Sequence, residues 1–237
     1  MRLLLTRPQA DGERTAATLR NLGHSVFVAP LLRIETLTDV EIGKEPWAGI
    51  LLTSANAARA IAAHKALPDL LGLPVIAAGD RSADTMRTVG FRDVVSAAGG
   101  EKDLVRLAMQ RFGAGALLLY LAGADRSGDA AGDLEAQRIA VRTVVVYRAV
   151  PFAVLPHAAV VALDRGIDGI LHFSRRSAAT YVEVALAAGL REQAVEKPVH
   201  FCLSSQVVEP LVEAGARQTR IAREPTEAAL IALIRAL

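Results

Sequence analysis

Short apolar runs alternate with stretches of helical spacing along the whole chain. Leu3-Leu4-Leu5-Thr6 breaks at Arg7-Pro8, and from Gln9 a helical pattern sets Ala16, Leu19 and Leu22 on one face until Gly23, after which Val26-Phe27-Val28 follows. This first unit reads strand, helix, strand. Apolar runs at 49–53, 74–78, 116–121, 142–147, 169–173 and 198–203 continue the pattern; each ends on a polar or Gly-containing turn, and most lead into an amphipathic stretch. Continuous apolar strands between helices predict an α/β protein with parallel sheets covered on both faces. Two stretches, 29–35 and 144–151, are extended with no helical spacing after them, and are candidate connectors between domains.

The pattern is also written twice. AGILLTSANAARA at 48–60 has its counterpart in DGILHFSRRSAAT at 168–180, so that Ser54 and Ser174 stand 120 positions apart. Pro74-Val75-Ile76-Ala77-Ala78 matches Pro198-Val199-His200-Phe201-Cys202 at a spacing of 124, and Gly90 matches Gly215 at 125. The helical stretches Glu101 to Phe112 and Thr226 to Leu237 keep that spacing. Leu3 to Pro30 has a looser counterpart in Leu117 to Tyr147. Four elements in order at nearly constant spacing indicate an internal duplication, arranged short unit, long unit, short unit, long unit.

A length of 237 residues allows one large domain or two of about 100–120 residues. Hydrophobic residues make up 52% and charged residues 22%, a globular balance that argues against disorder. The N-terminal MRLLLTRPQADGER has too short an apolar run for a signal peptide, and no run approaches the ~18 apolar residues of a membrane span. The single cysteine, Cys202, lies in an apolar run and reads as a buried core thiol of a reducing, cytoplasmic setting. A net charge of +2 gives no broad field for nucleic acid, and no basic run alternates with aromatics. Yet 23 of the 27 basic residues are Arg, whose forked guanidinium suits carboxylates and phosphates.

In open parallel sheets, ligands bind beyond the carboxyl ends of the strands, where helix N-termini favour anions. At those ends this chain places Thr6 and Arg7, Thr53, Ser54 and Asn56, Gly79 and Ser82, Gly123 and Arg126, Ser174, and Ser204. Helix capping alone accounts for a hydroxyl at any one of them. The set, with Arg at 7, 81, 126, 175 and 176 beside it, suits a ligand carrying several negative charges. No metal-ligand spacing, Walker pattern, dinucleotide fingerprint or nucleophile elbow occurs. His172 and His200 lie in apolar strands and read as core residues. Tyr147 closes Val144-Val145-Val146 in a candidate connector; it is either an aromatic packed at a strand end or a phenol able to hand a proton to a leaving hydroxyl.

As a set, these residues resemble the uroporphyrinogen-III synthase family. The likeness rests on Leu5-Thr6-Arg7-Pro8, Leu22-Gly23-His24 before Pro30, Thr53-Ser54-Ala55-Asn56, Ala78-Gly79-Asp80, Leu121-Ala122-Gly123-Ala124-Asp125-Arg126, Val146-Tyr147-Arg148, His172-Phe173-Ser174, and Pro225-Thr226-Glu227 opening the last helix. Arg175 after Ser174, often Pro in the family, and Ser204-Ser205, often Gly-Pro, depart from it. The resemblance implies two flavodoxin-like domains joined by a two-stranded connector, about 1–33 with 150–237 and about 35–147. It implies a water-eliminating lyase of haem and porphyrin biosynthesis that closes hydroxymethylbilane into uroporphyrinogen III with inversion of ring D, without metal or organic cofactor. It further implies a cytoplasmic monomer, with transient hand-over from hydroxymethylbilane synthase. By position, Tyr147 matches the family's connector tyrosine. The substrate's eight carboxylates fit the strand-end hydroxyls and arginines. A non-catalytic two-domain receptor for an anionic small molecule is the alternative.

Overall fold

The computed structural model describes residues 1–126 and 128–235. In chain order, β1 (Arg2–Leu5), α1 (Gln9–Asn21) and β2 (Ser25–Val28) are followed by β3 (Leu32–Thr36) and β4 (Gly49–Leu52). Next come α2 (Ala55–Ala62), α3 (Leu67–Leu70), β5 (Val75–Ala77), α4 (Asp80–Val89), β6 (Val94–Ser96) and α5 (Glu101–Arg111). Then β7 (Leu117–Gly123), α6 (Ala130–Glu135) and the long β8 (Ala140–Pro151) lead to α7 (His157–Asp164), β9 (Gly169–His172) and α8 (Arg175–Ala187). A π-helical turn at Glu192–Glu196, β10 (Val199–Cys202), α9 (Ser205–Glu213), β11 (Thr219–Ile221) and α10 (Glu227–Arg235) complete it. The apolar runs read from the sequence all fall on strands.

The chain forms two compact units, Met1–Arg33 with Val150–Leu237 and Ile34–Ala149. The first holds a five-stranded sheet in the order β11-β10-β9-β1-β2, all of whose pairs are parallel. The second holds a six-stranded sheet in the order β3-β8-β7-β4-β5-β6, parallel from β8 to β6. The central strands β4, β5 and β9 are buried at every position. That is why they read as unbroken apolar runs: helices cover both faces of a parallel sheet, so no position needs to be polar.

The serines noticed in the sequence cap helices. Ser54 Oγ accepts from the amide of Asn56 at 3.1 Å to start α2, and Ser174 Oγ accepts from the amide of Ser177 at 3.1 Å to start α8, each satisfying one of the orphan donors of a first turn. The glycines that open the two repeated strands have the same packing reason. A Cβ on Gly169 would lie 2.5 Å from the Phe201 ring, and one on Gly49 would strike the Phe112 ring.

In the first unit, a buried polar cluster crosses the sheet. His200 Nε2 lies 2.9 Å from the carbonyl of Val195, and His172 Nε2 lies 3.1 Å from His200 Nδ1. A carbonyl only accepts, so His200 carries its hydrogen on Nε2, its Nδ1 accepts, and His172 donates from Nε2. The Tyr181 hydroxyl donates to the carbonyl of Ala194 at 2.9 Å. Two carbonyls of the π-helical turn are thus satisfied by side chains from β10 and α8, which latches that irregular backbone to the core.

Candidate functional site

The second unit reverses its winding between β7 and β4: the chain runs outward from β4 through β5 to β6 on one side and from β7 to β8 on the other. Beyond the carboxyl ends of strands at such a switch point lies the usual ligand crevice of an open α/β sheet. A cavity of about 350 Å³ opens there, within the size range of small-molecule sites, about 300–1,000 Å³. Six of the sequence-predicted residues line it together: Thr53 after β4, Gly79 and Ser82 at the start of α4, Gly123 at the end of β7, Arg126, and Tyr147 in β8.

Tyr147 reaches the cavity through an irregularity. The β7–β8 ladder pairs Ala122 with Val145 but Gly123 with Tyr147, so β8 carries one extra residue at Val146. Such a bulge, rare between parallel strands, re-aims the side chain that follows it. Val144 and Val146 stay in the core while Tyr147 is only partly buried, and the amide of Ala124 donates to the Tyr147 carbonyl at 2.9 Å. Its ring then lies directly against Gly123. A Cβ there would sit 2.6 Å from Tyr147 Cζ and 2.7 Å from its hydroxyl oxygen. Only glycine lets the backbone approach so closely. Gly123→Ala is expected to cost about 1–3 kcal/mol of overpacking. The denaturation midpoint of the second unit, followed by fluorescence of its single tryptophan Trp47, checks this; an unchanged midpoint would show that the ring moves aside freely.

Charge in the cavity is mixed. Arg81 and Arg126 line it with Glu101 and Asp125, and the N-termini of α4 and α5 reach it through Gly79 and Gly100. Gly79 gives α4 no side-chain cap, so the dipole end of that helix is left to whatever occupies the cavity. The arrangement can hold a ligand by its anionic groups, hydrogen-bond it through hydroxyls, and present one phenol to a departing group.

Tyr120, Gly99, Gly100 and Glu101 line the cavity but were absent from the predicted site. The pair Gly99-Gly100 before an acidic first turn is a legible helix start, and only the fold shows that this start meets the cavity. Tyr120 is hidden in the apolar run of β7, with a hydroxyl 3.2 Å from Thr53 Oγ1. Burial foremost raises its pKa, against the hydrogen bond shared with Thr53 and the charge of Arg126, with Glu101 and Tyr147 adding to the rise.

The other predicted residues lie elsewhere. Ser54 and Asn56 are in the second unit at the start of α2, where Asn56 Oδ1 accepts from Arg59 at 2.7 Å. Thr6, Arg7, Ser174 and Ser204 belong to the first unit. Thr6 is buried after β1, and Ser204 starts α9 without a side-chain capping bond. Arg7 is engaged within that unit. Its guanidinium carbon lies 4.0 Å from the centroid of the Phe173 ring, and Nη1 donates to Glu227 at 3.0 Å and to Thr15 at 2.9 Å. Glu227 also accepts from Arg14 and Thr15. Burial works to raise its carboxyl pKa, but those hydrogen bonds and the two arginine charges outweigh it, and the net shift is downward.

No helix among the described residues is long and apolar enough to cross a membrane. Residues 13–232 match the model of the family described as uroporphyrinogen-III synthase HemD. No curated protein sequence matches the chain. Among solved structures, the uroporphyrinogen-III synthetase of Helicobacter pylori 26695 is similar over 100% of this chain and 99% of that one, at 16% identity and a TM-score of 0.68. A mutant uroporphyrinogen III synthase of the extremely thermophilic bacterium Thermus thermophilus is similar over 100% of this chain and 98% of that one, at 18% identity and a TM-score of 0.56.

Proposed function

Because the chain belongs to the uroporphyrinogen-III synthase family and so has a catalytic role in tetrapyrrole synthesis, we propose that it closes the linear tetrapyrrole hydroxymethylbilane into uroporphyrinogen III, eliminating one water and inverting ring D. The observation that carries the mechanism is the Tyr147 phenol held over Gly123 at the switch-point cavity.

The substrate supplies most of its own reactivity. An electron-rich pyrrole expels its hydroxymethyl oxygen to give an azafulvene cation. The Tyr147 hydroxyl donates its proton to the departing oxygen as the carbon–oxygen bond breaks, so the group leaves as water. The cation is then attacked by the substituted carbon of ring D to form a spiro intermediate, which fragments and recloses. Loss of a proton from the final ring carbon restores aromaticity and returns a proton to the phenolate, so the net change is one water lost. The protein's larger task is to fold the chain so that this carbon reacts before the unsubstituted one, a matter of positioning. Helix N-termini and arginines would hold the carboxylates while it does so.

The strand orders support reading both units as flavodoxin-like and duplicated. In the first, β2-β1-β9-β10-β11 is the 2-1-3-4-5 order. In the second, β8-β7-β4-β5-β6 gives the same order once β7 and β8 are counted first. Each unit would then combine the short half of one copy with the long half of the other, with β3 and β8 as the connector.

A cytoplasmic monomer is the accompanying reading. The exposed large apolar side chains among the described residues are scattered over β2, α5, α9, β11 and the segment before α7, which leaves no broad sticky patch. Burial pushes the Cys202 thiol up to about 12, so it is inert. Supplied with hydroxymethylbilane, the protein is expected to yield the type III isomer on chromatographic separation; formation of only the type I isomer, the spontaneous product, would overturn the reading.

A further inference from the structure

The Tyr120 hydroxyl is used by none of the steps above. Its residue is 2% exposed, and its ring packs in a core cluster with Leu51, Ile76, Leu104 and Leu134. Phenylalanine would fill that position as well. A buried hydroxyl is costly unless it is bonded, and the partner here is no other core group but Thr53 Oγ1, 3.2 Å away on an exposed residue at the end of β4. Thr53, Tyr120 and Tyr147 line one cavity.

The direction of the bond follows from acidity. A phenol is the stronger acid of the two, so Tyr120 donates and Thr53 accepts. Burial holds Tyr120 protonated, which keeps that sense throughout the neutral range. With one lone pair of Thr53 Oγ1 taken, its own hydrogen is left to point to an acceptor in the cavity. Without the phenol, the Thr53 hydroxyl would be free to rotate and to accept instead.

We propose that Tyr120 is a positioning residue for the cyclisation: its hydroxyl fixes Thr53 as a hydrogen-bond donor to a carboxylate of the substrate seated beside Tyr147. The assignment rests on the synthase reading and adds to it a residue that acts only through another. Its signature is therefore a change in KM rather than in kcat, and one that vanishes when Thr53 no longer has a hydroxyl.

The test is a double-mutant cycle in the isomer assay, with Tyr120→Phe, Thr53→Val and both together, and Thr53→Ser as the conservative control. Tyr120→Phe is expected to raise KM about fivefold, the scale of one hydrogen bond, with kcat within about twofold. Thr53→Val is expected to raise KM about tenfold, Thr53→Ser to stay within about twofold of the parent, and the double variant to match Thr53→Val. An unchanged KM in Tyr120→Phe, a fall confined to kcat, or a double variant as weak as the product of the two singles would overturn the proposal. Should the parent protein make no type III isomer, the synthase reading fails instead.

Discussion

Tyr147→Phe lowers kcat for type III formation by about a hundredfold, at the lower end of what general acid catalysis contributes, and leaves KM within about twofold. A hundredfold corresponds to about 2.7 kcal/mol of transition-state stabilisation. The split follows from geometry. Phenylalanine keeps the ring that packs against the core around Val144 and Val146 and the close approach to Gly123, so the cavity keeps its shape and the substrate its carboxylate contacts. Only the hydroxyl is gone, and with it the proton for the leaving oxygen. A variant with full kcat removes Tyr147 from the chemistry, and one with kcat intact but KM raised makes it a binding group. Residual turnover is expected because the pyrrole can still expel hydroxide unaided.

Much of this could be read from the sequence because parallel strands buried on both faces announce themselves. Gly49 to Leu52 and Gly169 to His172 are buried throughout and stand in the sequence as apolar runs. Ser54 and Ser174 were legible as helix starts for the same local reason: a cap bonds two or three residues ahead. Six cavity residues were legible because the carboxyl ends of strands are a general place for ligands.

What stayed hidden depends on pairings across long separations. Tyr120 and Thr53 are 67 residues apart, and an apolar run gives no sign that one of its aromatics ends on a neighbouring strand's threonine. Arg7 carries the charge expected of a ligand group, but Glu227, 220 positions away, takes up its guanidinium. The bulge at Val146 is silent as well, since one extra residue in a valine run changes no local pattern while it decides where Tyr147 points. His172 and His200 read correctly as core residues, yet nothing local shows that they bond to each other.

That histidine pair makes the first unit sensitive to acid. Burial, followed by the proximity of His200, holds His172 well below its ordinary value, and burial lowers His200 against the opposing bond to Val195. In the unfolded chain both titrate near ~6.5. Below that pH the unfolded state binds protons that the folded state refuses, so stability falls as pH falls, from about 6.5 down to the folded values. His172, kept wholly neutral, costs about 2 kcal/mol by pH 5, a sizeable share of a typical 5–15 kcal/mol, and His200 adds a smaller loss in the same direction. Among the described residues His172 Nδ1 has no hydrogen-bond partner, so a proton arriving there would stand as an uncompensated buried charge. Glu227 adds its own loss at lower pH, because its lowered pKa withdraws stability only as pH falls below its unfolded value near 4.5. His24 shifts in the same direction as the pair but is mostly solvated, and its part is small. Hydrogen exchange separates the two units: between pH 7.5 and 5.5, after correction for intrinsic rates, amides of β9 and β10 are expected to lose protection at least about tenfold more than those of β4 and β5, the fold-change equivalent to about 1.4 kcal/mol. Replacing His172 with Leu should remove most of that pH dependence while lowering stability at pH 7.5, where His200 Nδ1 loses its donor. Equal losses in both units, or a pH dependence untouched by His172→Leu, would place the acid response elsewhere than in this pair.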